Sequence, residues 1–188
     1  MGWKEFYIKK RSGGKRLITS PNEEIKEQQK QILKELYKIY YPFDDFHYAF
    51  GGLPFKNIKL LAEKHISKKV VVRLDIKDFF NNIDEEILLK KLEKDFKKKK
   101  VKKPDIFLNK IKKYCFYKNE IPQGAITSPF LSNIYLKSFD RVISTITKWG
   151  YYSYSRYFDD LTFSFNSKET NMCPGHTPKE RAKKKKKK

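Results

Sequence analysis

Cysteine is nearly absent from this chain: Cys115 and Cys173 are the only two, and they lie far apart. That excludes a disulfide framework and a Cys-x-x-Cys metal site, and it suits a reducing cytoplasmic compartment. Arginine is also scarce, confined to Arg11, Arg16, Arg73, Arg141, Arg156 and Arg181. No apolar run approaches the ~20 residues of a membrane span. The start, Met1-Gly2-Trp3-Lys4-Glu5-Phe6, lacks the apolar core of a signal peptide. Histidine offers little: His47 and His176 have no partner spacing, and His65 on a helix face reads as a structural residue. Acidic residues are outnumbered, 22 against 43 Lys and Arg, leaving a net charge of +21. Such an excess points to a polyanion, nucleic acid first and an anionic membrane surface second. Because nearly all of it is lysine, it supplies a diffuse field for phosphates rather than bidentate base reading. Part of the lysine excess, like the Ile, Asn, Phe and Tyr content, reflects A/T-rich coding DNA.

What is present is enough apolar and aromatic side chain, 39 % and 15 %, for a packed core. Residues 5–19 read as a β-hairpin turning at Ser12-Gly13-Gly14. Ser20, Pro21 and Glu23 spell a helix start, with Ser20 as N-cap and Pro21 at the first helical position, and Pro42 ends that helix. A Gly51-Gly52 and Pro54 loop precedes a short helix with Ile58, Leu61, Ala62 and His65 on one face. Val70 to Ile76 is the strongest strand signal, apolar and β-branched enough to be central in a sheet. Asp84 can cap a helix whose stripe is Leu88, Leu92 and Phe96, and another helix covers about 105–116. After the Ile121-Pro122-Gln123-Gly124-Ala125 loop, Ser128-Pro129 opens a long helix. Leu131, Ile134, Tyr135, Phe139, Val142, Ile143 and Ile146 recur along it at core spacing. A hairpin over 151–165 follows. Residues 166–188, with Pro174, Gly175, Pro178 and a terminal lysine run, hold nothing that packs a core and read as a disordered basic tail.

The chemistry sits in the last hairpin, where Asp159-Asp160 lie between two strand-like runs. Two adjacent carboxylates repel unless a cation sits between them, which points to a divalent metal. The competing reading is an ordinary tight turn, since Asp tolerates positive φ. A third carboxylate, Asp75, ends the best strand, and a hairpin packed beside that strand gathers all three. Three hard oxygen ligands suit two Mg²⁺ ions, and such a pair serves in-line phosphoryl displacement. Lys10 and Arg16 flank a Gly-Gly turn and can clamp a triphosphate. Phe80, five residues past Asp75, can floor a ribose, and Gln123-Gly124 opens a loop that lets backbone approach a ligand.

Four blocks then resemble, in order, the bacterial reverse transcriptases, and the retron type most of all. They are Lys10-x-x-Gly13-Gly14-x-Arg16, Leu74-Asp75-Ile76-Lys77-Asp78-Phe79-Phe80, Ile121-Pro122-Gln123-Gly124 through Asn133, and Tyr157-Phe158-Asp159-Asp160-Leu161-Thr162-Phe163-Ser164. The resemblance implies an α+β right-hand polymerase: a fingers-like region over 1–50, a palm with an antiparallel sheet and packed helices over 51–165, and no thumb. It implies RNA-templated DNA synthesis from dNTPs with two Mg²⁺ ions held by Asp75, Asp159 and Asp160. Lys10 and Arg16 would hold the incoming phosphates, Phe80 would reject a ribose 2′-OH, and Gln123 and Gly124 would border nucleotide and template. Its implied partners are a structured RNA template and primer, the DNA product, and a separate thumb or effector chain. The cognate RNA, the priming hydroxyl and any part in antiviral defence come only through this resemblance. The alternative is a catalytically inactive, basic RNA-binding remnant, or one subunit of a split polymerase. The chain departs from the family at Phe158, where alanine is usual and a ring would press on the primer end or the hairpin packing. It departs again at Leu61-Ala62-Glu63-Lys64-His65, which keeps half of an Asn-Ala-x-x-His motif. A chain without a thumb is expected to be a poor polymerase alone.

Overall fold

A computed structural model describes residues 2–9, 13–41, 45–149 and 152–166. Lys10, Ser12, Pro42, Cys173 and the basic tail after Asn166 lie outside the described residues. The chain forms two compact units, each assembled from two stretches of sequence: residues 1–47 with 77–137, and 48–76 with 138–188.

The first unit opens with a hairpin, β1 (Trp3–Lys9) and β2 (Lys15–Pro21), antiparallel with Ile8 opposite Arg16. Gly13 and Gly14 sit at φ +89° and +81°, a backbone that only glycine adopts cheaply. The helix that follows, α1 (Glu23–Tyr40), starts later than the Ser20-Pro21 signal suggests. β2 consumes Ser20 and Pro21 through their pairing with Lys4 and Trp3, and the Asn22 side chain caps the helix by accepting from the Ile25 N–H at 2.9 Å. Helices α3 (Glu85–Lys98) and α4 (Pro104–Cys115) complete the layer. Asp84 caps α3 as its sequence predicts, accepting from the Ile87 N–H at 2.8 Å. The core is built from one face of each helix: Ile32, Leu36 and Tyr40 on α1; Leu88, Leu92 and Phe96 on α3; Ile111 and Cys115 on α4. Burial pushes the Cys115 thiol up to about 12, so it behaves as a core residue rather than a nucleophile.

The second unit holds α2 (Ile58–Glu63) and a sheet of β3 (Val70–Asp75), β4 (Ser153–Tyr157) and β5 (Asp160–Phe165) in the order β3-β5-β4. Here the sequence misleads. β3 is an edge strand rather than a central one, with Val71 and Leu74 each 52 % exposed, and β5 takes the middle. Polar Thr162 and Ser164 are buried on β5, so hydrophobicity alone ranks the two strands wrongly. Residues 48–50 run beside β4, where Arg156 N–H donates to the Tyr48 carbonyl and Phe50 N–H to the Arg156 carbonyl.

The long helix α5 (Ser128–Trp149) buries Leu131 and Ile134 as expected. Beyond residue 138 its buried face is polar, formed by Asp140, Ser144 and Thr147, while Phe139, Val142 and Ile146 are exposed. On α2 likewise only Leu61 of the predicted face is buried within the helix. Ile58 and Ala62 face solvent, and His65 is buried in the turn beyond. Among the described residues no helix is long and apolar enough to cross a membrane.

Candidate active site

The three aspartates belong to one unit: Asp75 ends β3, Asp160 begins β5 of the same sheet, and Asp159 precedes it in the turn. β3 and β5 pair antiparallel with Asp75 directly opposite Asp160. β4 and β5 are joined by the two-residue turn Phe158-Asp159, closed by the Tyr157–Asp160 pair. The Ile76 N–H donates to the Asp159 carbonyl at 3.1 Å, so the chain leaving β3 is tied to that turn. Directly opposed residues in an antiparallel pair have Cβ atoms about 4.5–5.5 Å apart. The register therefore brings Asp75 and Asp160 to one point at the sheet's end, with Asp159 adjoining.

The turn has its own backbone demand. A two-residue hairpin loop demands positive φ, and here Phe158 meets that demand at φ +54°. Asp159 fills the second turn position without positive φ, and Asp160 begins β5. An aromatic residue accepts the left-handed geometry, which a non-glycine residue adopts at a cost of about 1 kcal/mol or more.

Asp160 Oδ2 meets the Arg73 guanidinium at 2.9 Å, an exposed pair whose contribution to stability is small. Among the described residues no three His, Cys, Asp or Glu side chains are already gathered as a metal cage. The donor set nevertheless fits a hard divalent cation: three carboxylates, solvent-accessible, from opposed and adjoining backbone positions.

Behind the turn stands a buried polar framework that sequence reading missed. Arg156 is fully buried on β4. Its Nε and Nη2 donate to the two oxygens of Asp140 on α5 at 3.0 and 2.8 Å, a bidentate pair. Its Nη1 donates to the Phe158 carbonyl at 3.0 Å, at the turn itself. The Tyr154 hydroxyl donates to Asp140 at 2.7 Å, and burial together with that carboxylate raises the Tyr154 pKa. The available signal was Asp140 among Phe139, Val142 and Ile143, a carboxylate on an apolar helix.

His65 ties α2 to both strands of the same hairpin. Its Nδ1 lies 2.7 Å from Ser164 Oγ on β5 and its Nε2 2.6 Å from Ser155 Oγ on β4. A neutral ring donates to one serine and accepts from the other. Burial, then the nearby Lys64 and Lys68, hold its pKa below the ordinary 6.5. The unfolded chain therefore takes up the proton first as pH falls. The His65 contribution to stability is complete above about 6.5 and declines as pH drops below it. Chemical denaturation from pH 7.5 to 5 is expected to show this loss in the wild type and a flatter profile in His65→Gln.

Phe158 does not stand free. A Cβ built on Gly51 would lie 3.1 Å from three atoms of the Phe158 ring, so the ring lies against the glycine backbone. The departure from alanine at 158 is thus absorbed by packing within the unit. Gly51→Ala is expected to destabilise the fold by about 1–3 kcal/mol through overpacking. Phe158→Ala in the same chain should recover most of that loss, and a double-mutant thermal-denaturation cycle reads the coupling.

The remaining predicted residues lie in the first unit. Arg16 is exposed on β2, and Phe80 begins a short 3₁₀ turn (Phe80–Asn82), half-buried with its ring 5.3 Å from that of Phe79. Gln123 and Gly124 pack on β2: the Thr19 N–H donates to the Gln123 carbonyl at 2.7 Å. Gly124 has φ +125°, and a Cβ there would fall 2.8 Å from the Thr19 carbonyl oxygen. The close approach that requires glycine is therefore made by strand β2. A cavity of about 220 Å³ lies beside this loop, with Leu17, Thr19, Asn81, Tyr117, Ile121 and Gln123 in its wall. Its polar lining includes the Lys118–Glu5 ion pair at 2.8 Å and the Asn81 amide donating to Glu120 at 2.9 Å.

The family model for "Reverse transcriptase (RNA-dependent DNA polymerase)" matches residues 8–187. The chain is 37 % identical over 175 residues to the Retron Ec83 reverse transcriptase of Escherichia coli, covering 89 % of this chain and 54 % of that protein. It is 30 % identical over 177 residues to the Retron Mx65 reverse transcriptase of Myxococcus xanthus, covering 85 % and 39 %. The chain thus spans about half the length, or less, of these curated relatives. Among solved structures, it resembles telomerase from Candida albicans in complex with a fragment of telomeric RNA, with a TM-score of 0.62 and 13 % identity over 90 % of this chain and 39 % of that one. Apo telomerase from Candida tropicalis follows at 0.57 and 13 % identity, over 90 % and 44 %. Those structural likenesses show the fold: helices with antiparallel sheets, the reverse-transcriptase fold. By its match over nearly its whole length and its retron relatives, the chain belongs to the reverse transcriptase family, of the retron type.

Proposed function

We propose that this chain carries the nucleotidyl-transfer centre of an RNA-templated DNA polymerase. The observation that supports this most is the register that sets Asp75 opposite Asp160, with Asp159 in the adjoining turn. Reverse transcriptases as a family use divalent metal ions. Asp75, Asp159 and Asp160 would hold them here, with two Mg²⁺ as the ions of choice for carboxylate and phosphate oxygens. Bound there, the ions would activate the attacking hydroxyl and neutralise the leaving pyrophosphate. Asp160 would release Arg73 to do so, an exchange that a weak exposed pair permits.

The other roles follow residue by residue from the family motifs. Arg16, with Lys10, would clamp the incoming triphosphate, and Phe80 would exclude a ribose 2′-OH. Gln123 and Gly124 would border the nucleotide and template. Residues 1–50 would act as fingers, 51–165 as palm and 166–188 as a basic tail. The substrates would be dNTPs on a structured RNA template and primer, in the cytoplasm. A thumb or effector supplied by another chain would find apolar surface at Val71, Leu74, Val142 and Ile146, all exposed.

The test is incorporation of labelled deoxynucleotide on an RNA template by the purified chain with Mg²⁺. Template-dependent incorporation that is abolished by EDTA is expected, at a low rate for a chain about half as long as its relatives. Incorporation indifferent to template would reject the reading.

A further inference from the structure

We propose that the turn joining α3 to α4 is a sequence-independent docking surface for the phosphate backbone of a double-helical nucleic acid. From Lys94 to Lys113 the chain carries ten lysines and only two acidic residues, Asp95 and Asp105. Asp95 is already engaged by Lys137 and the Tyr40 hydroxyl. Lys99 is paired with Asp45 at 2.6 Å and Lys112 with Glu85 at 3.4 Å. Of the other eight, Lys110 donates to the Gln31 side chain at 3.2 Å and Lys94 and Lys113 stand on the helices, while Lys97, Lys98, Lys100, Lys102 and Lys103 crowd the turn itself, all exposed and, among the described residues, without an ion pair. Five like charges within seven residues repel one another in the free protein, and a polyanion relieves that repulsion.

The turn is a fixed scaffold, not a floppy tail. The Phe96 and Phe107 rings stack at 5.4 Å across the two helices, above the buried Leu92 and Ile111. The Val101 N–H donates to the Phe96 carbonyl at 3.0 Å and the Lys99 N–H to the Asp95 carbonyl at 2.8 Å, closing the end of α3.

Coding bias toward A/T does not account for the choice of residues. Lys100 and Lys103 both have left-handed backbone, at φ +54° and +51°. Asparagine takes that geometry more cheaply, and A/T-rich codons supply it as readily as lysine. The chain uses both residues at such positions elsewhere, Lys118 at φ +52° and Asn119 at φ +63°, and Lys118 is paired there with Glu5, whereas Lys100 and Lys103 have no ion pair among the described residues.

The kind of partner follows from what accompanies the lysines. Single strands are held by aromatic platforms on which bases stack. The rings at this turn face inward, with Phe96 fully buried and Phe107 half-buried against it. Base reading calls for arginine forks, and 94–113 contains no arginine. A membrane surface calls for large apolar residues to insert beside the charge, and Ile106 is the lone exposed one here. Point charges on a rigid, ring-poor turn suit the regular phosphate rows of a paired helix.

The surface is separate from the catalytic reading, and its test needs no catalysis. The full chain is compared with a variant in which Lys97, Lys98, Lys100, Lys102 and Lys103 are all changed to Gln. A second variant removes the same charge elsewhere, by Gln at Lys30, Lys34, Lys38, Lys59 and Lys69. A third carries Arg at the five turn positions. Binding is measured against a 20-base-pair RNA duplex, a DNA duplex of the same length, single-stranded RNA and anionic phospholipid vesicles, at several salt concentrations. For the duplexes, the turn-Gln variant should bind at least tenfold more weakly at about 0.1 M salt, with the log–log salt slope reduced by about 3. The relocated variant should retain most of the affinity, and the Arg variant should bind like the wild type. Preference for RNA over DNA duplex, or its absence, tells which double helix the surface takes. Equal losses in the two Gln variants would overturn the site. A turn-dependent affinity for single strands or vesicles matching that for duplexes would overturn the partner.

Discussion

Asp159→Asn is expected to reduce RNA-templated incorporation of deoxynucleotide by on the order of a thousandfold, about 4 kcal/mol of transition-state stabilisation. The substitution keeps the shape of the side chain and removes its charge. It should leave the fold intact, because the strained φ of the turn is carried by Phe158 and the Arg156 guanidinium is bonded to the Phe158 carbonyl. A far-UV circular dichroism spectrum and a cooperative melt like those of the wild type are therefore the companion expectation. Asp75→Asn should behave alike, since Asp75 is exposed at the end of an edge strand and its charge has no structural duty there. Equal incorporation by wild type and Asp159→Asn would remove that carboxylate from the chemistry.

The second large effect concerns stability. Asp140→Asn leaves Arg156 buried and charged without its carboxylate, and it weakens the acceptor of the Tyr154 hydroxyl. Removing one partner of a buried pair costs about 3–5 kcal/mol, because the survivor keeps its desolvation penalty uncompensated. For a chain of this size that is a large share of total stability. Replacing both partners with apolar residues, Asp140→Leu with Arg156→Met, should cost less than Asp140→Asn alone, since no charge is then stranded. Denaturant unfolding of the singles and the double checks this. A double variant less stable than Asp140→Asn would show that the charges themselves are needed.

The parts of this fold that were legible in the sequence are those set by local periodicity and capping. Leu88, Leu92 and Phe96 recur at helical spacing behind the Asp84 cap, and the structure buries all three. The last hairpin and the strand ending at Asp75 were legible as well, and with them the three carboxylates. What was not legible depends on tertiary pairing. The apolar run Val70-Val71-Val72 reads as a central strand, yet β5 takes the centre because its serine and threonine are buried, with His65 bonded to Ser164. Ser20 and Pro21 carry a helix-start signal, yet β1 recruits them into β2, and the cap passes to Asn22. Asp140 and Arg156 are sixteen positions apart, a separation at which no local rule connects an acid on a helix to a base on a strand. The fate of the Phe158 ring is likewise a long-range matter, settled by a glycine at position 51.

Divalent-metal binding tests most directly whether the three aspartates form one site. Mn²⁺, a spin-active stand-in for Mg²⁺, can be titrated into the 188-residue chain and its free fraction followed by electron paramagnetic resonance. We expect the wild-type chain to bind Mn²⁺, and the Asp75→Asn, Asp159→Asn, Asp160→Asn triple variant, equally folded, to lose that binding. Identical Mn²⁺ titrations of the two proteins would contradict the assignment of these carboxylates as a metal centre.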